Sequence, residues 1–266
     1  MESLSDLRAF IIDMDGVLWH GIHPLPGLTD FFKTLRECNL RFILATNNAS
    51  LTAEQYVDKL AQMGAMVAKD EILTSAMASA LYLAERSDPA RTRVYAIGEA
   101  GLRQPLAERG FVLTDLYDVS AHYVIVGMDR GLSWDKLATA SLNIRAGARF
   151  IGTNPDVTLP TERGITHGNG AVLAALQAAT GVAPIIIGKP EPLMYQQAMA
   201  LLGCAPSETA AIGDRLETDI LGAVRANIRS IMVLSGVSSA QDMDGVDYRP
   251  TWVLPDIRAV TQALRS

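Results

Sequence analysis

Asp13-Met14-Asp15-Gly16-Val17-Leu18-Trp19 follows the first apolar run of the chain, Leu7 to Ile12, which only Arg8 interrupts. That run is short and isoleucine-rich, the pattern of a buried strand. In extended backbone, residues two apart point to the same side, so Asp13 and Asp15 are expected to face one small volume at the strand's carboxyl end. Open α/β sheets bind their ligands there. Two carboxylates held together away from water are unfavourable unless a cation joins them, and magnesium suits carboxylate oxygens that must also meet phosphate. A strand followed by an Asp-Gly turn needs no metal, and taken alone the motif fits that reading equally well.

The rest of the chain repeats strand and helix. Downstream, helical spacing runs from Leu28 to about Cys38, a second buried strand from Leu40 to Ala45, and a helix from Ala53 to Met63. A strand at Ile72-Leu73 leads into an alanine-rich helix from Ser75. The rhythm restarts after Ser87-Asp88-Pro89, with strands at 94–97, 123–126 and 150–151 and helices between them. Thr161 to Gly170 is polar and glycine-rich. From Pro184 the first rhythm resumes, with strands at 185–187, 210–212, 231–234 and 252–254. Short connections between alternating strands and helices indicate parallel sheets. The pattern predicts two domains: a core from residues 1–80 and 184–266, with 81–183 inserted as an α/β unit of its own.

Composition narrows the function. The chain has 266 residues and a net charge of -6, which argues against a nucleic-acid polymer as partner. Glu2 and Asp6 break the N-terminus as a signal sequence, and no apolar run is long enough for a bilayer. The two cysteines, Cys38 and Cys204, are far apart and are expected to be buried thiols in a reducing cytoplasm.

Polar residues of complementary kind follow four of the predicted strands: Asp13 and Asp15; Thr46, Asn47 and Asn48; Lys189; and Asp214 with Asp219. Placed side by side at one sheet edge, they supply a metal site, a nucleophile, an acid and donors for phosphoryl oxygens. Each also has a plain structural reading. Thr46-Asn47-Asn48 fits a strand-to-helix turn, Lys189 a solvated lysine, and Asp214 and Asp219 helix caps.

In this combination the sequence resembles the haloacid dehalogenase-like phosphatases. Asp13-Met14-Asp15-Gly16-Val17 looks like their first motif, Thr46 their second, Lys189 their third, and Gly213-Asp214 through Asp219 their fourth. Val126-Gly127-Met128-Asp129-Arg130, Phe150 through Asp156 and Ala179-Thr180-Gly181 resemble the NagD-type branch, which includes nitrophenyl-phosphatases. The resemblance implies a Rossmann-like parallel-sheet core with a large inserted α/β cap, sometimes a site of dimer contacts. It implies hydrolysis of a small phosphorylated metabolite, such as a nucleotide monophosphate, a sugar phosphate, phosphoglycolate or nitrophenyl phosphate. Asp13 would form an aspartyl-phosphate and Asp15 would act as acid and base. Thr46 and Lys189 would hold the phosphoryl group, with Asn47 and Asn48 as further phosphate- or substrate-binding residues. Mg2+ would sit on Asp13, the Asp15 carbonyl and Asp214, with Asp219 behind them orienting waters or Lys189. In the cap, Asn154 and His167 are the expected substrate contacts; the Thr166-His167-Gly168 loop departs from the branch, which often has a proline before that glycine. A phosphotransferase sharing the intermediate, or a silent phosphate sensor, are the alternatives.

Overall fold

The computed structural model describes residues 4–161 and 163–266, so Glu2 lies outside the described residues. The chain divides into two compact units. One comprises residues 1–46, 53–73 and 189–266; the other comprises 47–52 and 74–188. The sequence places the inserted segment at 81–183. The compact unit begins earlier, because helix Ser75–Ala84 packs on helix Ala100–Glu108. It also takes in 47–52, where the Ser50 carbonyl accepts from the Gly101 amide at 3.2 Å.

The first unit is built on a six-stranded sheet. Its order is Trp252–Leu254, Arg229–Val233, Thr209–Gly213, Ala9–Ile12, Arg41–Thr46 and Ile72–Thr74. Ala9–Ile12 is entirely buried and pairs in parallel with a strand on each side: Ile12 lies beside Ile212 and beside Leu44. Being covered on both faces is why this strand reads as a continuous apolar run rather than an alternating one. The chain winds outward in one direction from Ala9–Ile12 and in the other from Thr209–Gly213. These two neighbours therefore form the switch point of a doubly wound sheet, where such folds open a crevice. Asp13 ends the first of them and Asp214 follows the second.

The second unit has its own parallel sheet, ordered Ile185–Ile186, Arg149–Gly152, Tyr123–Val126, Arg93–Ile97 and Val112–Leu113. Its core joins Tyr95, Ile97, Val124, Val126 and Phe150 to Ile144, Leu173 and Leu176 of the covering helices. Within Thr161 to Gly170, read from sequence as polar and glycine-rich, lies the strand Gly164–His167, which pairs antiparallel with Thr158–Thr161 in a hairpin. Gly164–His167 is exposed along its length and lacks the apolar alternation that marks a half-buried strand.

Two further expectations are corrected. Lys189 does not follow a strand of the core sheet: Ile185–Ile186 pairs with Arg149–Gly152 in the second unit, and the chain enters the first unit only at Lys189. Cys38 is exposed while Cys204 is buried. Cys38 lies past the end of helix Leu28–Glu37, where the chain turns through Asn39 at φ 54° towards the next strand. Among the described residues, no helix is long and apolar enough to cross a membrane.

Candidate active site

The first unit gathers its charged groups around the switch point. The Asp13 amide donates to the Ile212 carbonyl at 2.8 Å, carrying the strand ladder one residue beyond Ile12 and fixing where the Asp13 side chain emerges. Gly16 then turns the chain at φ 85°, a conformation that costs glycine nothing. A Cβ at Gly16 would come within 2.4 Å of Asp214 Oδ2 and one at Gly236 within 1.9 Å, so the missing side chains at these two glycines make room for the Asp214 carboxylate.

Lys189 is the hub. Its ammonium donates to Asp13 Oδ1 at 2.5 Å, to Asp219 Oδ1 at 2.6 Å and to the Ala45 carbonyl at 3.1 Å. The side chain is only 4% exposed, against 13% for Asp13. The solvated-lysine reading is therefore excluded. Asp219 is held from its other oxygen by the Arg215 amide at 3.1 Å. It sits in a single π-helical turn, Leu216–Ile220. Such turns place side chains that a regular helix would rotate away. The Tyr195 hydroxyl donates to the Asp219 carbonyl at 3.0 Å.

Asp214 is 1% exposed. Its Oδ2 accepts from the Val237 amide at 2.7 Å, and its Oδ1 is buried with no hydrogen-bond partner. Ligand oxygens of Asp13, Asp214 and Asp219 all lie within 4.8 Å of one another. A buried carboxylate oxygen without a donor is costly on its own and suits a hard cation, so the residues present fit magnesium. Since Lys189 and Arg215 already engage both oxygens of Asp219, Asp13 and Asp214 are the pair best placed to hold an ion.

Three carboxylates share one ammonium, and burial together with the neighbouring negative charge raises the proton affinity of Asp13 and Asp214, while the charge of Asp13 and Asp219 raises that of Lys189 against burial. Burial pushes the Asp13 carboxyl well above the usual carboxylate range; Lys189 pulls it down, while Asp219 and Asp214 push it further up. Burial and then Asp219 bring Asp214 up to about 6. Burial works against the Lys189 ammonium, but the charges of Asp13 and Asp219 outweigh it and hold the proton firmly.

Asp15 is not a member of this cluster. Its carboxylate is exposed, and its Oδ1 accepts from Trp19 Nε1 at 2.7 Å. The sequence-based expectation that Asp13 and Asp15 carboxylates converge on one volume is thus replaced by a convergence of Asp13 with Asp214 and Asp219. Thr46 is buried at the end of its strand and shares a hydrogen bond with the Tyr56 hydroxyl.

The remaining candidates lie in the second unit. The Asn47 side-chain amide faces both oxygens of Asp156 at 3.3 Å, and the Asn48 Oδ1 accepts from the Ser50 amide and hydroxyl, tightening the turn. Asn154 is 5% exposed and gives its amide to the Asn47 carbonyl at 2.8 Å. His167 is exposed on the hairpin. Sequence reasoning did not find Trp19, Tyr56, Tyr195, Gly236 or Val237. Only Trp19 carried a local signal, standing four residues after Asp15.

With this geometry in view, comparison with known proteins is unambiguous. Residues 10–112 match the haloacid dehalogenase-like hydrolase family and residues 186–260 a second HAD-hydrolase-like family. An acid sugar phosphatase of Staphylococcus saprophyticus is 37% identical over 98% of this chain and 99% of its own. The crystal structure of a 4-nitrophenylphosphatase from Thermotoga maritima superposes with a TM-score of 0.92 at 33% identity, covering 99% of this chain and all of that one. A glycerol phosphate phosphatase of Mycobacterium tuberculosis, solved with magnesium, gives a TM-score of 0.90 at 35% identity, with 100% of this chain and 80% of that chain covered. The chain belongs to the haloacid dehalogenase-like hydrolases. The three relatives named above are all phosphatases.

Proposed function

We propose that this chain hydrolyses small phosphomonoesters through an aspartyl-phosphate on Asp13, with magnesium as cofactor. The observation that carries this reading is the Asp13 carboxylate at the switch point, one oxygen fixed by Lys189, beside a buried Asp214 oxygen that lacks a donor. Asp13 and Asp214, with the Asp15 backbone carbonyl, would hold the ion, which when bound offsets the negative charge that an incoming phosphate brings.

In the first step, the Asp13 oxygen not bonded to Lys189 attacks phosphorus. The bond from phosphorus to the ester oxygen breaks, and protonated Asp15 gives that oxygen its proton, releasing the alcohol. In the second step, Asp15, now a carboxylate, removes a proton from water as the water oxygen bonds to phosphorus. Asp13 leaves as a free carboxylate with inorganic phosphate as product. Lys189 keeps its proton throughout, because Asp13 and Asp219 stabilise the ammonium, and it serves as a fixed positive charge for the phosphoryl oxygens. Thr46 offers a hydroxyl to the same oxygens. Asp219 holds Lys189 in place.

Small phosphorylated metabolites of the sugar-phosphate or glycerol-phosphate kind are the substrates we favour, in line with the relatives' names. His167, exposed on its hairpin, is our candidate for meeting the organic part. Asn47 and Asn48 shape the turn after Thr46, and the burial of Asn154 gives it a supporting role. The unpaired cysteines support a reducing, cytoplasmic location.

The test is turnover in 18O-labelled water with a panel of phosphomonoesters, with and without magnesium, combined with acid quench. The expected result is one labelled oxygen in the released phosphate and an acid-stable, hydroxylamine-sensitive phosphoprotein that Asp13→Asn abolishes. Phosphate passing to added alcohols in preference to water would make the chain a phosphotransferase. No turnover with any ester would return it to the sensor reading.

A further inference from the structure

An exposed carboxylate ordinarily samples several rotamers. Asp15 is exposed, yet its Oδ1 is tied to an indole N–H at 2.7 Å, and that indole belongs to a residue with 0% exposure. The backbone sets up the pair: the Gly16 amide donates to the Trp19 carbonyl at 2.8 Å, closing a tight loop that returns Trp19 beside Asp15.

The indole is itself held from helix Ala53–Gln62. Tyr56, 1% exposed, stacks on it with ring centroids 6.5 Å apart and planes at 23°. The Lys59 ammonium lies 4.1 Å from the ring centroid. Tyr56 and Lys59 are three residues apart and so share a helix face. The Tyr56 hydroxyl reaches the Thr46 side chain. One aromatic pair thus joins the residue proposed to move the proton and the residue proposed to hold the phosphoryl group.

A buried indole N–H needs an acceptor, and Asp15 could merely supply one. Two features go further. The acceptor is an exposed charged group, so the buried partner restricts the exposed one. A cation over the ring also withdraws electron density from the indole and strengthens its N–H as a donor.

We propose that Trp19, held by Tyr56 and Lys59, is a positioning residue for Asp15, fixing one carboxylate oxygen so that the other faces the leaving-group oxygen. This rests on the reading of Asp15 as acid and base. Poor leaving groups need the proton most, so loss of positioning costs them most.

The experiment compares Trp19→Phe, which keeps a ring and removes the N–H, with Lys59→Met, which keeps the stem and removes the charge. Single-turnover phosphorylation of the enzyme is measured across leaving groups from nitrophenol to an alkyl alcohol, and inorganic phosphate affinity is measured in parallel. With Trp19→Phe, the alkyl ester is expected to lose about tenfold more than nitrophenyl phosphate, the scale of one hydrogen bond to a charged group. Phosphate affinity stays unchanged. Lys59→Met shows the same slope more weakly and decides the matter if Trp19→Phe does not fold. A uniform loss across leaving groups, or none, overturns the proposal. Asp15→Asn is run beside them. A steep slope there with a flat one in the Trp19 and Lys59 variants defeats the positioning role alone. A flat slope in Asp15→Asn defeats the acid reading and the positioning role together.

Discussion

Both units bury polar side chains, but of opposite character. The first unit buries charge: Asp214, Asp219 and Lys189 are almost without solvent, and three carboxylates, Asp13 included, face one ammonium. The second buries neutral amides. Asn154 bonds the Asn47 carbonyl, Asn169 bonds the Val126 and Asn154 carbonyls at 3.2 and 2.9 Å, and Ser75 donates to the Asn47 carbonyl at 2.7 Å. An amide network of this kind gives donors to buried backbone carbonyls. The carboxylate cluster sets three acidic groups against one ammonium, the imbalance on which the proposed cation and phosphoryl binding rests. On the proposed reading, buried polar groups serve chemistry in one unit and architecture in the other.

The largest expected effect tests the charged side. Asp13→Asn preserves shape and removes the attacking oxygen's charge, so kcat on nitrophenyl phosphate should fall by about a thousandfold or more. A fall of less than about tenfold would remove Asp13 as nucleophile.

Asn154→Ala tests the neutral side. It removes one of the two side-chain donors to the Asn47 carbonyl, Ser75 remaining, together with the acceptor of the Asp156 amide, and should destabilise the protein by about 1–3 kcal/mol in urea titration. With magnesium saturating, kcat should change far less than stability. A large kcat loss without destabilisation would make Asn154 a substrate contact after all.

Asp214→Asn in chelator probes the imbalance directly. Asp214 is raised from 3.8 to about 6, so the folded state holds this proton more tightly than the unfolded chain. Its contribution to stability is therefore full below pH 3.8 and is lost as pH rises through about 6. At pH 8 without metal, the neutral variant should be more stable than the parent by about 1–3 kcal/mol, and magnesium should stabilise only the parent. Chemical denaturation at pH 5 and pH 8 checks the sign; a less stable variant at pH 8 would mean that the cluster is not charge-strained.

The smallest effect concerns the exposed hairpin. His167→Ala should alter kcat/KM ratios among phosphomonoesters by about three- to tenfold and leave magnesium activation unchanged. Identical ratios across the panel would direct the search for specificity away from this residue.

Much of the site was legible because its residues end or follow apolar strands, and strands announce themselves by composition. Asp13 and Thr46 sit at the ends of strands the sequence places within a residue or two. Asp214 follows another. Lys189 was found for a partly mistaken reason: the apolar run before it belongs to the second unit's sheet, yet the lysine is delivered to the Asp13 carboxylate. The strand Gly164–His167 is not legible in the sequence because it is exposed along its length, with no buried face to impose alternation. The orientation of Asp15 was missed because adjacency along an extended chain says nothing about a glycine turn that brings Trp19 back to it.

The sequence by itself determined the two α/β units, the strand-end carboxylates and the family to which the chain belongs, since these depend on local hydrophobic pattern and on motifs a few residues long. Tertiary structure alone decided which carboxylates meet. Asp13 and Asp214 are some 200 residues apart and come together only because Ala9–Ile12 pairs with Thr209–Gly213. Strand order in a sheet is a long-range choice, set by which buried faces pack, and no local pattern encodes it.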